Sequence, residues 1–147
     1  MKKLILLLAA ALLAASFILP AIAAPHEFPK GSPKFLTDYK AAIEQSKKEG
    51  KPAILVFSAA WCPPCQTMKK SVYPSKEVAA LHDKFVWAYL DVDEDANSKA
   101  AQQYAVQGIP HVQFVDPSGK DLGNQVGSTT PGDFAGTLNK VLKKAAK

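Results

Sequence analysis

Cys62 and Cys65 are the only cysteines in the 147 residues, separated by Pro63 and Pro64. Two thiols at this spacing can close a small disulfide ring, and the thiolate of either is a nucleophile toward other disulfides. Just before them lies an apolar run, 53–57, with the pattern of a strand buried on both faces. Just after them, 66–72 has helical composition. Cys62 is therefore expected at a helix N-terminus, where unpaired N–H groups and the helix dipole favour a thiolate. It would attack a substrate disulfide; Cys65, one turn on and more buried, would then attack Cys62 and release the reduced substrate. A strand–CxxC–helix arrangement in a βα pattern reads as a redox motif. A static staple is a poor alternative, because so short a loop gains little from cross-linking. Zinc would want four ligands, and His82 and His111 stand alone in the sequence. Two thiolates could still hold copper(I), so a non-catalytic module binding a peptide or copper(I) is the rival reading.

The neighbours of the pair tune it. Pro63 and Pro64 carry no N–H, which removes two donors near the Cys62 sulfur, and neither brings a positive charge. Cys62 should be only moderately acidified, mainly by the helix and the Cys65 N–H, which leans toward a reductant rather than a strong oxidant. Trp61 is expected at the site edge, as part of a substrate platform. Ile109-Pro110 is a second element, since an X-Pro bond can be cis at modest cost, although trans is the commoner state. His111 reads as a hydrogen-bonded strand histidine rather than a base. Asp91, Asp93 and Asp95 alternate, but Ala96 and Gln102 occupy the positions where a calcium loop needs Gly and Glu. The acids read as a solvated strand end and loop.

The elements that must position these residues follow from periodicity and turn chemistry. Phe35, Leu36, Tyr39, Ala42 and Ile43 mark one face of a first helix, closed by Gly50. After the cysteine helix, Pro74 breaks the chain and Ser75 caps a short helix over 76–83. A strand over 85–92 and a helix over 97–105 follow. A third strand, 111–115, leads through Asp116-Pro117-Ser118-Gly119 to an antiparallel strand near 122–126. Thr130 and Pro131 open the last helix. Strands separated by helices imply parallel pairing, with the closing hairpin as an antiparallel edge. The fold class is α/β: a central mixed sheet flanked by helices on both faces.

Composition agrees with one globular domain: 48% of residues are apolar and 21% charged. Lys2 and Lys3, the apolar run 4–19, Pro20 and the small residues at 21–23 have the layout of a secretory leader cleaved after Ala23. The run is short for a membrane-spanning anchor. Residues 1–23 are thus expected to be a signal peptide, 24–34 a flexible mature N-terminus in which His26 has no role, and 35–147 the domain. Losing Lys2 and Lys3 lowers the formal charge from +5 to +3. All 18 basic side chains are lysine. The absence of arginine, the usual base- and phosphate-reading residue, argues against a nucleic-acid binder. An exported chain with one tight cysteine pair points to chemistry or a metal rather than a structural disulfide framework. No organic cofactor is implied, and a monomer is the simplest expectation.

Lys51-Pro52, Trp61-Cys62-Pro63-Pro64-Cys65, Asp91-Val92-Asp93, Tyr104, Gly108-Ile109-Pro110 and Val126-Gly127 together resemble the thioredoxin family, over nearly all of the chain past the leader. The resemblance implies a thioredoxin-like fold, Cys62 as the attacking and Cys65 as the resolving cysteine, and Pro110 as a cis-proline facing them. It makes Ile109 the residue whose backbone pairs with a bound substrate strand. Protein thiols and disulfides are the implied substrates. Val72-Tyr73-Pro74-Ser75 and Glu77-Val78 are similar to a branch of exported bacterial proteins near the C-terminal domain of the membrane electron-transfer reductase. If the chain reduces its substrates, a membrane electron donor is the expected partner, because exported proteins lack cytosolic thioredoxin reductase, and the leader suggests a bacterial periplasm. Two positions depart from the family. Val56 stands where a buried Asp is usual and Tyr89 where a Lys pairs with it, which removes the usual proton-transfer route for Cys65.

Overall fold

The structure is a computed structural model and describes residues 26–147. The expected signal peptide lies outside the described residues. Five strands form one sheet: β1 (Phe35–Leu36), β2 (Ala53–Ser58), β3 (Val86–Asp91), β4 (His111–Val115) and β5 (Asp121–Val126). Their order is β1-β3-β2-β4-β5. β3 runs parallel to both β1 and β2, and β4 runs antiparallel to both β2 and β5. Five α-helices accompany them: α1 (Tyr39–Glu49), α2 (Pro63–Thr67), α3 (Lys76–Ala79), α4 (Asp95–Gln103) and α5 (Pro131–Ala145). The mixed sheet with helices is the expected fold class.

Three local readings need correction. Phe35 and Leu36 do not open the first helix. They form β1, and their side chains go to opposite sheet faces, as strand period two requires. Asp38 starts α1 instead, its side chain accepting the Ala41 N–H at 2.8 Å. Gly50 ends it at φ 64°, a left-handed conformation that glycine adopts without a Cβ penalty. The short helix after Ser75 stops at Ala79 rather than Asp83, and a 3-10 turn, His82–Lys84, follows. Finally, β4 follows a helix yet is not parallel to its neighbour. Ile109, just before β4, packs against Cys62, just past the end of β2. The chain re-enters the sheet at the end it had left, so the two strands run in opposite directions.

The core has two faces. α1 and α4 pack onto one face, where Ala42, Ala100 and Ala101 of the helices meet Leu55, Phe57, Ala88 and Leu90 of the sheet. The other face is aromatic, with Tyr73, Trp87, Tyr89, Phe114 and Phe134 buried together beside Met68. The 24–34 segment, expected to be a loose tail, is packed from His26 onward. Phe28 stacks on Phe35 and Tyr89 at 4.6 and 5.2 Å between ring centroids. The Lys69 ammonium sits 4.9 Å from the Phe28 centroid. Aromatic area of this kind is favourable to bury, so Phe28 packs against the domain while Glu27, Lys30, Gly31 and Lys34 stay exposed.

Candidate active site

β2 delivers the chain to the cysteines and α2 holds them. Cys62 is the N-cap of α2, with extended backbone (φ −101°, ψ 102°). Pro63 follows at the first helical turn, where a missing N–H costs nothing. Past Thr67 the helix widens into a π turn, Met68–Val72, closed by the Tyr73 N–H on the Met68 carbonyl at 3.1 Å. Cys62 and Cys65 are joined as a disulfide, with S–S 2.04 Å and Cα–Cα 5.3 Å. Both are buried, Cys62 at 3% and Cys65 at 1% exposure. The Cys62 sulfur accepts the Cys65 N–H at 3.3 Å. Because both intervening residues are prolines, this is the first main-chain N–H that the helix can offer the sulfur.

Around the pair the expected residues take distinct places. Ile109 packs with Ala59 and Val92 against the two cysteines. The Ile109–Pro110 peptide bond is cis. The Pro110 carbonyl accepts the Gly127 N–H at 2.8 Å. Among the described residues the main-chain N–H and C=O of Ile109 have no backbone partner. Trp61 is 65% exposed and is held by its indole N–H, which donates to Asp93 Oδ2 at 2.8 Å. With Val92, Val106, Gly108 and Ile109 it lines a groove of 340 Å³. Pro63 and Pro64 are exposed beside it. His111 is buried, its Nε2 3.3 Å from Gln113 Oε1. The three alternating aspartates do not converge. Asp91 Oδ1 accepts the Asp93 N–H, Asp93 holds Trp61, and Asp95 opens α4.

The two departures from the family pattern lie opposite each other: Val56 and Tyr89 are register partners in β2 and β3. Tyr89 does not leave an apolar gap there. Its hydroxyl meets the Ser58 hydroxyl at 2.6 Å, and both residues are buried. Burial raises the Tyr89 pKa above its ordinary value; hydrogen bonding from Ser58 and Gln66 opposes the rise, and the Asp91 charge adds to it. The pair is therefore neutral at working pH. Gln66, directly after Cys65, donates from Nε2 to the Ala59 carbonyl at 3.0 Å. Reading the sequence assigned no role to Ser58 and Gln66. The one available signal was a hydroxyl ending the otherwise apolar strand 53–58, at the end that leads to the cysteines.

The chain is similar to known proteins. The family model of the thioredoxin-like domain matches residues 39–142. The chloroplastic thioredoxin-like protein HCF164 of Arabidopsis thaliana is 33% identical over 94 residues, which covers 64% of this chain and 35% of that protein. The disulfide bond reductase DsbH of Chlamydia pneumoniae is 31% identical over 120 residues, covering 74% of this chain and 70% of that protein. Among solved structures, the oxidised C-terminal domain of Neisseria meningitidis DsbD superposes with a TM-score of 0.62 at 25% identity, covering 72% of this chain and 97% of the other. The chain spans about a third of the length of the first curated relatives it matches. By the extent of the family match and by its fold, the chain belongs to the thioredoxin-like family.

Proposed function

We propose that this chain is a thiol–disulfide oxidoreductase that exchanges disulfides with protein substrates through Cys62 and Cys65, as a reductase or isomerase rather than a strong oxidant. The observation that carries the reading is the Cys62 sulfur at the head of α2, accepting the Cys65 N–H beside an Ile109 main chain with no backbone partner among the described residues. In the reducing direction the Cys62 thiolate attacks one sulfur of a substrate disulfide, and the other leaves as a thiolate. Cys65, once deprotonated, attacks the Cys62 sulfur; the mixed disulfide breaks and the second substrate thiolate leaves. Two electrons have passed to the substrate, and the Cys62–Cys65 disulfide remains. Trp61 and Ile109 would flank the substrate strand.

Resetting the pair needs a dithiol donor. Similarity to the C-terminal domain of a protein named for thiol:disulfide interchange supports a membrane electron-transfer reductase in that role. Residues 1–23, read as a leader, support a periplasmic location, and a monomer is the simplest working state. Pro63 and Pro64 supply neither N–H nor charge, which limits acidification of Cys62 and favours reduction.

The reduction potential of the Cys62–Cys65 pair in graded thiol–disulfide buffers tests the direction. The expected value is near that of thioredoxin, about −270 mV. A value near about −120 mV would make the protein a disulfide donor and refute the proline argument. A Cys62→Ser protein that kept full function would favour a binding module instead.

A further inference from the structure

The turn that carries Cys62 is held from behind by groups that neither attack nor resolve. The Ala59 carbonyl accepts two donors: the Cys62 N–H at 3.3 Å and Gln66 Nε2 at 3.0 Å. Gln66 in turn donates its own main-chain N–H to the Cys62 carbonyl at 3.1 Å. The amide side chain thus crosses from α2 back to the end of β2 and closes the loop 59–66 around the cysteines. On its inner side lie the Tyr89 and Ser58 hydroxyls, 2.6 Å apart and walled from solvent. The outer edge of Tyr89 is covered by His26 and Phe28, with ring centroids at 5.4 and 5.2 Å.

We propose that Gln66 is a positioning residue for the disulfide exchange reaction, a clasp whose amide donor fixes the Ala59 carbonyl and through it the Cys62 main chain. The inference rests on the proposed exchange activity of Cys62. The clasp works because the amide nitrogen donates. A carboxylate of the same shape would place acceptor oxygens against the Ala59 carbonyl and push the turn open, whereas a protonated carboxyl could donate again. A single lost hydrogen bond near a reacting group corresponds to about a tenfold change in rate. Gln66 is partly exposed, so substitutions there leave the core intact.

The experiment measures the second-order rate of the reduced protein with glutathione disulfide from pH 4 to 9, for wild type, Gln66→Ala and Gln66→Glu. Each rate is divided by the Cys62 thiolate fraction measured for that protein, and each variant is then expressed as its ratio to wild type at the same pH. Gln66→Ala should stay about tenfold below wild type at every pH. Gln66→Glu should match wild type at pH 4 and fall to the Ala level above pH 6, as the carboxyl ionises. A bystander in the loop would leave the Gln66→Ala ratio near one at every pH, and that result overturns the clasp. Hydrogen exchange of the Cys62 amide in the oxidised protein is read in parallel. Gln66→Ala should lose protection there by about tenfold, and unchanged protection also overturns the clasp. If wild type does not react with the disulfide at all, the exchange reading fails. The amide measurement still decides whether Gln66 holds the turn.

Discussion

Tyr89 and Tyr73 lie on the same aromatic face of the sheet, and both are closed to solvent, at 2% and 0% exposure. Beside the turn that leads to the cysteines, the Tyr89 hydroxyl is paired with Ser58. Deeper in the packing, the Tyr73 hydroxyl has no hydrogen-bond partner among the described residues. Its ring sits edge-on to Phe35, Trp87 and Phe134, with centroids at 5.9, 6.1 and 5.6 Å. One region has matched its polar atoms, and the other tolerates an orphan for the sake of aromatic area. Stability and chemistry are thus served by different parts of one core. An orphaned buried hydroxyl costs about 1–3 kcal/mol, which a ring of this size can offset.

Separating the two roles is the strongest way to sharpen that contrast. Cys62→Ser should lower disulfide exchange with glutathione disulfide by at least about 10³-fold, because the attacking sulfur is gone. Its urea midpoint should lie close to that of wild type measured under reducing conditions, since a hydroxyl of similar size replaces the buried thiol and can keep the N-cap. A large loss of stability in reduced conditions would show that the cysteine end also supports the core.

Next in size is Phe134→Ala on the packing side. Phe134 is fully buried against Tyr73, Trp87 and Phe114. The truncation should cost about 3–5 kcal/mol in urea unfolding. The molecules that remain folded should exchange disulfides at the wild-type rate. A matching drop in their rate would mean that the two regions are coupled.

The tyrosines themselves give a smaller, paired test. Tyr89→Phe leaves the Ser58 hydroxyl buried without its partner and should cost about 1–2 kcal/mol. Tyr73→Phe removes an orphan and should be neutral or stabilising by less than about 1 kcal/mol. Equal losses from both would erase the distinction between paired and orphaned hydroxyls.

The pH dependence is the finest test. Burial raises the Tyr73 pKa far above its ordinary value of 10.0, with the neighbouring Tyr89 as a secondary cause. Below pH 10.0 the phenol is neutral in folded and unfolded chains alike, so it adds no pH dependence. Above it the unfolded chain ionises first, and stability falls as pH rises, by about 1.4 kcal/mol per pH unit for one such tyrosine. Urea titrations between pH 9 and 11 should show this decline, and Tyr73→Phe should remove about 1.4 kcal/mol of it across that range. An unchanged slope would mean that Tyr73 ionises normally and is not sealed.

Much of this molecule can be read from local sequence. The run 53–57 followed by Cys62-Pro63-Pro64-Cys65 specifies a buried strand, a capped helix and a sulfur at its head, because each depends on residues within a few positions of one another. The Asp116-Pro117-Ser118-Gly119 turn and the Thr130-Pro131 helix start are local for the same reason. Phe35-Leu36 defeated helical periodicity because two apolar residues next to a helix fit its face as well as a strand. Only pairing with Trp87 and Ala88 settles them as β1.

What tertiary structure alone decided lies at long sequence separation. The direction of β4 depends on where Ile109 meets Cys62. The pairing of Ser58 with Tyr89 spans 31 residues, and that of Trp61 with Asp93 spans 32. Phe28 is held by Phe35, Lys69 and Tyr89 from three separate elements, although its own neighbours read as a tail. Sequence determined which atoms could do chemistry, since that depends on residue type and short spacing. Which hydroxyls, amides and rings stand behind those atoms was fixed only when distant strands came into register, because burial and hydrogen-bond partners belong to the packed chain and not to any segment of it.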